Sequence, residues 1–525
     1  MRKNRSGFST IELLIAMAVL ALMLGAAVEL AFSTQRLAED TSNESTALSL
    51  AQTMLSKERT LAQKDFSLAV PIATSQIVSS TTFTMSVAIV PQSDYVTDKI
   101  TAAVSWGSGL LLRQVSLSTY TANFKHAANP DTCYSSLPGE WGGMRIQNSQ
   151  TNFAQLIGAA AATYAITSLD ALRNRLYVGA TTNTAASSTL FIFDSTNPAA
   201  LKLLGSVDTT GLSVSSGAAA LIVATSSAGS YAFVANAYAA NFATCKPKPT
   251  DRTGGNCAEL QIFDVSNPAL PTLVSNYELP TTTALAHVTG TGSTAGNAIF
   301  YDNGFIYLGL TKTTTGPEFN IIDVHNPFKP QWVGGYSVGY VVNAIYEKDN
   351  IAYIAHPTDS SASTQEQVTV LDVTDKTNPV RLGGYKAPDK QGNGKSIFMI
   401  GDSLYLGRTV NTTASNNDFY ILNASVPAQL ATLNANTPQP QGKKINSSVN
   451  ATIVRDNLAF LLTGTSGSAG SLYAYDIHTP TAIATTSSVS LPNASSGVAL
   501  DCEGSVLFAA SNDASGKGYL SVIYP

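Results

Sequence analysis

The sequence predicts an α+β domain, with a long N-terminal helix and an antiparallel sheet, followed by an all-β seven-bladed propeller. Three observations support this fold class. An uncharged apolar run at residues 13–28 opens a stretch that keeps a helix-forming composition to residue 64. Runs with the two-residue alternation of β-strands follow, up to residue 119. Beyond residue 150, a strand motif that ends in Asp recurs at intervals of about 50 residues, as expected of four-stranded propeller blades.

The composition narrows the function classes before any motif is considered. The 525 residues exceed one ordinary domain, and only 12% of them are charged, against about 25% in a typical soluble domain. Hydroxyl and amide side chains therefore supply much of the solubility, which is typical of exported proteins. The formal net charge of −5 argues against a nucleic-acid partner, and the 44% of hydrophobic residues excludes wholesale disorder.

The N-terminus carries a targeting or membrane segment. Three basic residues within the first five precede the apolar run. A secretory signal peptide has this order, but Val28-Glu29-Leu30 replaces the expected small-residue cleavage site, and Glu12 stands at the start of the run. A plain membrane anchor is a second interpretation. Residues 8–32 exceed the about 20 residues that a spanning helix needs, and the basic head would stay inside.

A third interpretation rests on the residues around the first carboxylate. The segment Gly7-Phe8-Ser9-Thr10-Ile11-Glu12-Leu13-Leu14 closely resembles the cleavage and methylation motif of type IV prepilins and pseudopilins. The resemblance implies that residues 1–7 are a class III leader peptide. It implies that prepilin peptidase cleaves between Gly7 and Phe8, and that Phe8 is then N-methylated. It also implies an inner-membrane location before assembly and other pilin subunits as partners afterwards.

Glu12 has a physical reason to be in this position. A carboxylate within lipid is costly, and its presence there usually marks a function with a specific partner. The resemblance implies that this partner is the N-terminal amine of the neighbouring subunit, so that Glu12 sets the register of filament assembly. The apolar helix at 8–32 would then be retained as the assembly surface. Many pilins have a Pro near mature position 22, where this chain has Val28 and Glu29, so a helix kink there is not implied.

In the remainder of the first domain, a helical pattern is followed by strand-like runs. Residues 33–64 contain no Gly or Pro and form an amphipathic pattern that is loose at 40–45, where a break is possible. Strand-like runs then occupy 82–90, 99–106 and 111–119, with a hairpin predicted at Gly107-Ser108-Gly109. A long helix with an antiparallel meander is the pilin architecture, so residues 8–125 are interpreted as a pilin-like domain and 126–150 as a linker.

The remaining chain contains a repeat. A strand that ends in Asp or Asn precedes a turn that contains Pro, usually Asn-Pro, in six copies, with the acidic or amide residue at positions 194, 264, 323, 372, 423 and 476. A second strand lies upstream of each copy, and a seventh such strand occupies 506–509. In the clearest copies an edge strand downstream ends in Gly, at Gly205, Gly334 and Gly383. The pattern resembles the LVIVD-type repeat of bacterial surface proteins and is assigned to residues 151–525.

The ends of the repeat region predict how a ring of blades would close. The seventh copy stops after its third strand, which would leave an unpaired edge. Residues 153–158 match the edge strand at 200–205 and are predicted to complete the last blade. An open solenoid is the alternative.

The four cysteines have candidate pairings under this arrangement. Cys245 and Cys257 bracket an inserted loop, and a bridge there would restrict it by about 2–3 kcal/mol. Cys133 precedes the closing strand and Cys502 begins the last blade, so a Cys133–Cys502 bridge would lock the seam. Four free thiols in the cytosol are the alternative, although the class III signal places this region outside. A zinc site is disfavoured because no Cys-x-x-Cys spacing occurs and the 5 His are scattered.

Signals of catalysis are weak, and neither an enzyme activity, a metal nor a cofactor is predicted. The recurring Asp is interpreted as an acceptor of backbone hydrogen bonds that shapes the following turn. No nucleophile elbow, phosphate loop or calcium loop occurs. The longest insertions, residues 236–257 and 358–367, are candidate recognition loops because long loops on a rigid scaffold often bind partners.

The sequence therefore favours a minor type IV pilin that displays a propeller at the tip or surface of a pilus as an adhesion or interaction module. A host-cell or surface ligand would bind the propeller, and the final location would be extracellular. The alternative is a pseudopilin of a type II secretion or DNA-uptake system, in which the propeller binds cargo or envelope partners. A propeller hydrolase is the third and least supported hypothesis.

Overall fold

The computed structural model describes residues 10–64, 71–91, 97–107, 112–122, 137, 139–159, 162–182, 187–209, 216–226, 229–236, 258–277, 279, 296–313, 316–358, 366–388, 392–410, 417–435, 441–464 and 470–525. The chain separates into two compact units, Met1–Ala122 and Asn123–Pro525. A long N-terminal helix is followed by antiparallel sheets throughout.

The N-terminal helix α1 is continuous over Thr10–Lys64. The loose pattern at 40–45 does not break it. Hydroxyl side chains that could compete with the helix instead donate to carbonyls one turn back, as Thr41 does to Leu37 at 2.8 Å and Thr46 does to Ser42 at 2.9 Å. The helix therefore passes from its apolar part to its polar part without a break.

A four-stranded sheet completes the first unit, with the order β1 (Ile72–Val78), β2 (Thr81–Pro91), β3 (Thr97–Trp106) and β4 (Arg113–Ala122). The three predicted strands are confirmed, and β1 was missed because five of its seven residues are exposed and it lacks an alternating pattern. The C-terminal half of α1 packs on β2, β3 and β4, where the small side chains of Ala47 and Ala51 are fully buried.

In the described part of the second unit, 28 strands form seven groups of four, here called S1 to S7 in chain order. S1 is β6 (Tyr164–Ala171), β7 (Arg175–Thr182), β8 (Leu190–Asp194) and β9 (Lys202–Val207). S2 is β10 (Ser216–Ser226), β11 (Gly229–Asn236), β12 (Leu260–Asp264) and β13 (Thr272–Tyr277). S3 is β14 (Gly296–Asp302), β15 (Phe305–Leu310), β16 (Phe319–Asp323) and β17 (Gln331–Tyr336).

S4 is β18 (Ala344–Lys348), β19 (Ile351–Ala355), β20 (Val368–Asp372) and β21 (Val380–Tyr385). S5 is β22 (Gly394–Ile400), β23 (Ser403–Arg408), β24 (Phe419–Asn423) and β25 (Gln441–Lys443). S6 is β26 (Val449–Arg455), β27 (Leu458–Thr463), β28 (Ser471–Asp476) and β29 (Ala484–Ser490). S7 is β30 (Ser496–Glu503), β31 (Val506–Asn512), β32 (Gly518–Tyr524) and, from earlier in the chain, β5 (Arg145–Asn152). Short helices are α2 (Phe153–Leu156) and α3 (Leu430–Leu433).

All pairings within these groups are antiparallel between successive strands, and S1 and S2 are joined into one eight-stranded sheet by β7 and β10. The first strand of each group contacts the first strand of the next. These contacts run from β6 to β10 and onward to β30, and β30 in turn contacts β6. The order of contacts among the first strands is therefore cyclic.

The recurring Asp has the structural role expected from the sequence. In all six copies its side-chain oxygen accepts the backbone N–H two residues on, as Asp264 accepts from Ser266 at 2.9 Å and Asp372 from Thr374 at 2.8 Å. The Asn of the Asn-Pro pair repeats the arrangement, since Asn267 accepts from Ala269 at 3.2 Å. Two consecutive side-chain turns thus reverse the chain between the third and fourth strands.

The recurring Gly of the fourth strand makes room for the next group. A Cβ placed on Gly205 would lie 2.3 Å from the carbonyl oxygen of Pro268, and one on Gly334 would lie 2.3 Å from that of Lys376. Both carbonyls belong to the turn between the third and fourth strands of the following group. Glycine is therefore required where the backbone of one group approaches the backbone of the next.

The last group is completed from the N-terminal side, but not by the predicted residues. β5 pairs with β32, with Ile146 opposite Ile523 and Asn152 opposite Tyr519. Residues 153–156 form α2 instead, so the closing strand predicted at 153–158 was wrong in position. Asn152 ends β5 and caps α2 by accepting the N–H of Ala154 at 3.0 Å. Phe153 is fully buried in a core shared by S1 and S7.

Candidate functional site

The sequence places the first candidate site at the start of α1. Gly7 and Phe8 lie outside the described residues, and the structure places the backbone of Glu12 in the first turn of α1. From residue 10 to residue 35 every described side chain is exposed. Leu22 is 74% exposed and Leu14 is 66% exposed, although both are apolar. The N-terminal half of α1 thus presents a continuous apolar surface that the first unit itself does not cover.

This apolar surface has the length and composition of a membrane span. Beyond this surface, the exposed face of the same helix carries polar side chains, and the face that packs on the sheet carries small side chains. One continuous helix thus presents a lipid-compatible surface at its N-terminal end and packs on a sheet at its C-terminal end.

A second candidate site is the ring of contacts among the first strands of S1 to S7. Most first strands carry one extra, bulged residue near their start, and an equivalent residue, Asn343, directly precedes β18. In several groups this side chain donates to a backbone carbonyl of the next first strand or, in one case, of the residue two positions before it. Asn343 donates to Gly394 at 2.7 Å, Asn297 to Val342 at 2.7 Å and Asn450 to Gly497 at 2.7 Å. Thr167 donates in the same way to Ala218.

Other side chains serve two of the remaining junctions. Between S5 and S6 the hydroxyl of Ser396 donates to the carbonyl of Val449 at 3.4 Å. Between S7 and S1, Asn512 accepts the N–H of Ile166 at 2.9 Å and donates to its carbonyl at 2.7 Å. Between S2 and S3 the bulged residue is Ala219, which has no polar side chain. Six of the seven junctions are therefore linked by a side-chain hydrogen bond at this level.

Two carboxylates reinforce the junction between the last and first groups. Asp501 accepts the N–H of Ala171 at 2.6 Å, and Glu503 accepts the hydroxyl of Ser195 at 2.9 Å and the N–H of Asn174. Charge-assisted hydrogen bonds of this kind are about twice as strong as neutral ones. The junction between the two groups that are most distant in sequence is thus held by several polar links.

A segment ahead of β5 covers S6 and S7 and is here called the clasp (residues 137–144, of which 138 is not described). Trp141 is 2% exposed and packs edge-on against Phe460 at 4.9 Å between ring centroids. Its indole N–H donates to the carbonyl of Leu137 at 3.1 Å, and the N–H of Leu137 donates to Asp456 at 2.9 Å. The clasp therefore joins the core of S6 and S7 through both apolar packing and hydrogen bonds.

Of the four cysteines, only Cys502 lies in the part of the chain that the structure describes. Cys502 is fully buried in the core that holds the clasp, and it is disulfide-bonded. Cys133, Cys245 and Cys257 lie outside the described residues, so the pairings Cys133–Cys502 and Cys245–Cys257 stay predictions. The candidate recognition loops at 236–257 and 358–367 likewise fall almost wholly outside the described residues.

Histidines and carboxylates do not assemble a metal site in the described part of the chain. His356 is buried, and burial lowers the pKa of its imidazole. Its Nε2 lies 2.9 Å from the hydroxyl of Thr369, and its ring stacks on Tyr340 with 5.1 Å between centroids. His325 is exposed and pairs with Asp323 in a turn. These two histidines therefore have separate structural partners.

Glu347 has an unusual environment between S3 and S4. Its side chain is 6% exposed and accepts the N–H of Asn350 at 2.7 Å. Burial, together with the adjacent carboxyl group of Asp302, raises the pKa of Glu347 to about 8, while the ammonium group of Lys376 opposes this shift. The raised pKa favours the protonated form of Glu347 at neutral pH, and this form can donate a hydrogen bond to Asp302.

This raised pKa predicts a pH-dependent stability. Between about pH 4.5 and 8 the folded chain keeps a proton that the unfolded chain releases, so the free energy of unfolding should fall as pH rises through this window and become flat above it. We expect Glu347→Gln, which keeps the acceptor without the charge, to remove about 2–4 kcal/mol of this change. Chemical unfolding at pH 5, 6.5 and 8 measures it. Glu140→Gln, at an exposed carboxyl, should keep the wild-type slope; an unchanged slope in Glu347→Gln would contradict the assignment.

The repeat also contains a second recurring polar position, which was missed in the sequence. Five residues before the motif Asp or Asn stands a buried polar residue, which is Thr189, Glu259, Glu318, Gln367 or Asp418 in successive copies. Each accepts a backbone N–H that follows the fourth strand, as Glu259 does from Leu279 at 3.0 Å and Gln367 from Ala387 at 2.7 Å. A polar residue at this constant offset, directly before an apolar strand, was the available signal.

Comparison with family models finds two matches. The prokaryotic N-terminal methylation motif matches residues 2–28, and the LVIVD repeat matches residues 255–279, which include β12, its motif Asp264 and β13. Comparison with curated proteins finds no significant match.

Solved structures of low identity resemble part of the chain. The periplasmic gluconolactonase of Pseudomonas aeruginosa is 12% identical, with a TM-score of 0.42 over 62% of this chain and 85% of that chain. A Bacteroides fragilis protein provisionally assigned as a 6-phosphogluconolactonase is 13% identical, with a TM-score of 0.38 over 53% and 79%. A puromycin hydrolase is 10% identical, with a TM-score of 0.40 over 67% and 53%. At these scores the likeness transfers no activity. The family matches show that this chain joins an N-terminal methylation motif to an LVIVD repeat, as its residues predicted.

Proposed function

We propose that the chain is a minor type IV pilin that displays a β-propeller as an adhesion or interaction module. The observation that carries this proposal is the methylation motif at the start of one continuous helix. The N-terminal half of this helix is apolar and exposed, and its C-terminal half packs on the four-stranded sheet of the first unit. Prepilin peptidase would cleave after Gly7, Phe8 would be N-methylated, and Glu12 would pair with a neighbouring N-terminal amine. The processed subunit would move from the inner membrane into a surface filament.

We also propose that S1 to S7 are the blades of one closed seven-bladed propeller within residues 151–525, preceded by the pilin-like domain at 8–125. The cyclic contacts of the first strands and the polar links from S7 to S1 support a closed ring over an open solenoid. β5 lies largely in the segment 126–150 assigned as linker, so the blade region would begin with that strand. A propeller of this size on every subunit would crowd a thin filament, which favours low copy number.

Substitution of Glu12 tests the assembly role. We expect Glu12→Ala to be processed but to remain in the membrane, because an unpaired buried amine costs about 3–5 kcal/mol at each subunit contact, roughly two orders of magnitude or more in association. Immunogold labelling and immunoblots of sheared filaments measure incorporation. Glu39→Ala, in the exposed polar part of α1, is the matched control and should assemble normally.

Two results would contradict this function. One is normal incorporation of Glu12→Ala into filaments. The other is an intact mass that retains the first seven residues and lacks a methyl group. Gene neighbourhood separates the pilus from the secretion alternative, because a retraction ATPase accompanies a pilus and a secretin with secreted hydrolases accompanies a pseudopilus.

A further inference from the structure

The turn between the third and fourth strands of S4 differs from the same turn in the other groups. Pro follows the motif residue by seven positions here, from Asp372 to Pro379, and by four positions in each of the other five copies. The additional residues bring in Lys376, which is the one lysine between a motif residue and its Pro in the six copies. This lysine is therefore an addition to the turn that the copies share.

Lys376 contacts a second turn at the same end of S4. Its Nζ donates to the side-chain Oδ1 of Asn350 at 2.8 Å and to the carbonyl of Val373 at 2.9 Å. Asn350 lies in the turn between β18 and β19 with a φ of 64°, a left-handed conformation that Asn tolerates, and its carbonyl accepts the N–H of Val373 at 2.9 Å. The amine is thus held against the carboxamide, because the Cγ of Asn350 is bonded to the oxygen that Nζ contacts.

Aromatic rings and a buried carboxyl group surround this pair. The Nζ of Lys376 lies over the rings of Phe305 and Tyr307, at 5.6 Å and 5.7 Å from their centroids. Glu347 is buried and accepts the backbone N–H of Asn350 at 2.7 Å. Burial is the largest cause that raises the pKa of Glu347 to about 8, which favours its protonated form. An amine, a carboxamide and a protonated carboxyl group therefore lie together beside two aromatic rings.

We propose that Lys376 and Asn350 are joined by an intramolecular isopeptide bond. The neutral Nζ of Lys376 would attack the Cγ of Asn350, so that the Nζ–Cγ bond forms and the Cγ–Nδ2 bond breaks. One proton passes from Nζ to Nδ2, which leaves as ammonia. Glu347 would carry this proton and end in the protonated state in which it began. The step consumes no oxidant or other reactant, and the fixed contact of the two groups supplies the proximity that amide formation needs.

The bond would tie the hairpin turn of β18 and β19 covalently to the motif turn of S4. It would close a loop over residues 350–376, which contains the candidate recognition loop at 358–367. Asn350 is exposed, so the released ammonia can pass directly into solvent. The inference goes beyond the proposed pilin function and assigns a covalent modification to the second unit.

Trypsin digestion of the purified full chain, followed by mass spectrometry, tests the proposal. The sequence has no Lys or Arg between Lys348 and Lys376, so an unmodified chain yields the peptide 349–376. An amide on Lys376 prevents cleavage there. We therefore expect the peptide 349–381, which ends at Arg381, with a mass lower by one ammonia molecule. A second digestion that cleaves after Glu366 should leave its two halves joined.

Three variants assign the roles. Lys376→Arg keeps the positive charge but cannot form this amide, and it should yield the peptide 349–376 at its unmodified mass. Glu347→Gln keeps the hydrogen-bond acceptor without the exchangeable proton, and it should lose most of the joined peptide. Lys348→Arg is the matched control, because the ammonium group of Lys348 donates to the backbone carbonyl of Gly401 at 2.7 Å, and this variant should retain the bond.

Three outcomes would count against the proposal. An unmodified peptide 349–376 from the wild type would overturn it. Loss of ammonia with normal cleavage after Lys376 would also overturn it, since that combination indicates a succinimide at Asn350. A wild-type yield of joined peptide in Glu347→Gln would refute the role of Glu347. The measurement requires no filament, so its result is independent of the proposed pilin function.

Discussion

Gly334→Ala is expected to destabilise the second unit by about 2–3 kcal/mol, a large effect for the addition of one methyl group. The new Cβ would lie 2.3 Å from the carbonyl oxygen of Lys376 and 3.0 Å from the carbonyl group of Thr377. Both are backbone atoms of the next group, so the conflict cannot be relieved by rotating a side chain. S3 and S4 would have to move apart, and each shares its core with its neighbours.

Urea unfolding followed by far-UV circular dichroism measures this loss, and the repeat supplies graded controls. Gly383 occupies the equivalent position of S4, where a Cβ would lie 3.1 Å from the carbonyl oxygen of Ala428, so Gly383→Ala should cost clearly less. Gly142 has no atom within 4 Å of an added Cβ, and Gly142→Ala should be close to neutral. A loss at Gly334 no larger than that at Gly383 would show that the close approach of the turns does not set the requirement for glycine.

Trp141→Ala is expected to cost about 3–5 kcal/mol, which is the range for truncating a buried large aromatic side chain. Trp141 fills the space between the clasp and S6, stacks edge-on with Phe460, and donates to the carbonyl of Leu137. Ser487 also donates its hydroxyl to the carbonyl of Trp141. Loss of the indole would therefore loosen the segment that leads into β5 as well as leaving a cavity.

The same unfolding measurement applies, with Glu140→Ala as the matched control. Glu140 is the preceding residue and is exposed, so its truncation should change the free energy of unfolding by less than about 0.5 kcal/mol. Limited proteolysis around residues 137–152 adds a local readout, since a loosened clasp should be cut before the sheets unfold. Equal stability of Trp141→Ala and the wild type would mean that the clasp does not contribute to the core.

The elements with strong local patterns could be predicted from the sequence. The helix to residue 64, the three strands of the first unit and the repeated strands around each motif Asp all carry an apolar periodicity or a turn signal that survives in the structure. The role of the motif Asp followed from the known preference of Asp for accepting backbone N–H groups in turns. Each of these depends on residues close to one another in the chain.

The features that depend on distant residues could not be predicted in the same way. Residues 153–158 have the apolar composition of an edge strand, but Phe153 is drawn into the core between S1 and S7, and Asn152 caps a helix turn there. β1 is nearly all exposed and shows no pattern. For the candidate site, Asn297 and Asn450 are ordinary asparagines in the sequence. Their significance comes from their equivalent bulged positions on the first strands of S3 and S6, which only the pairing register identifies.

The pairing of β5 with β32 also has a consequence for the time course of synthesis and export. β5 emerges early, but its partner strand begins at Gly518, more than 360 residues later. At about 5–20 residues per second of synthesis, the wait is roughly 20–75 s. An apolar unpaired strand would be an aggregation hazard for that time. The polar sequence of β5, Arg-Ile-Gln-Asn-Ser-Gln-Thr-Asn, hides it from pattern analysis, and the same polarity keeps it soluble until its partner arrives.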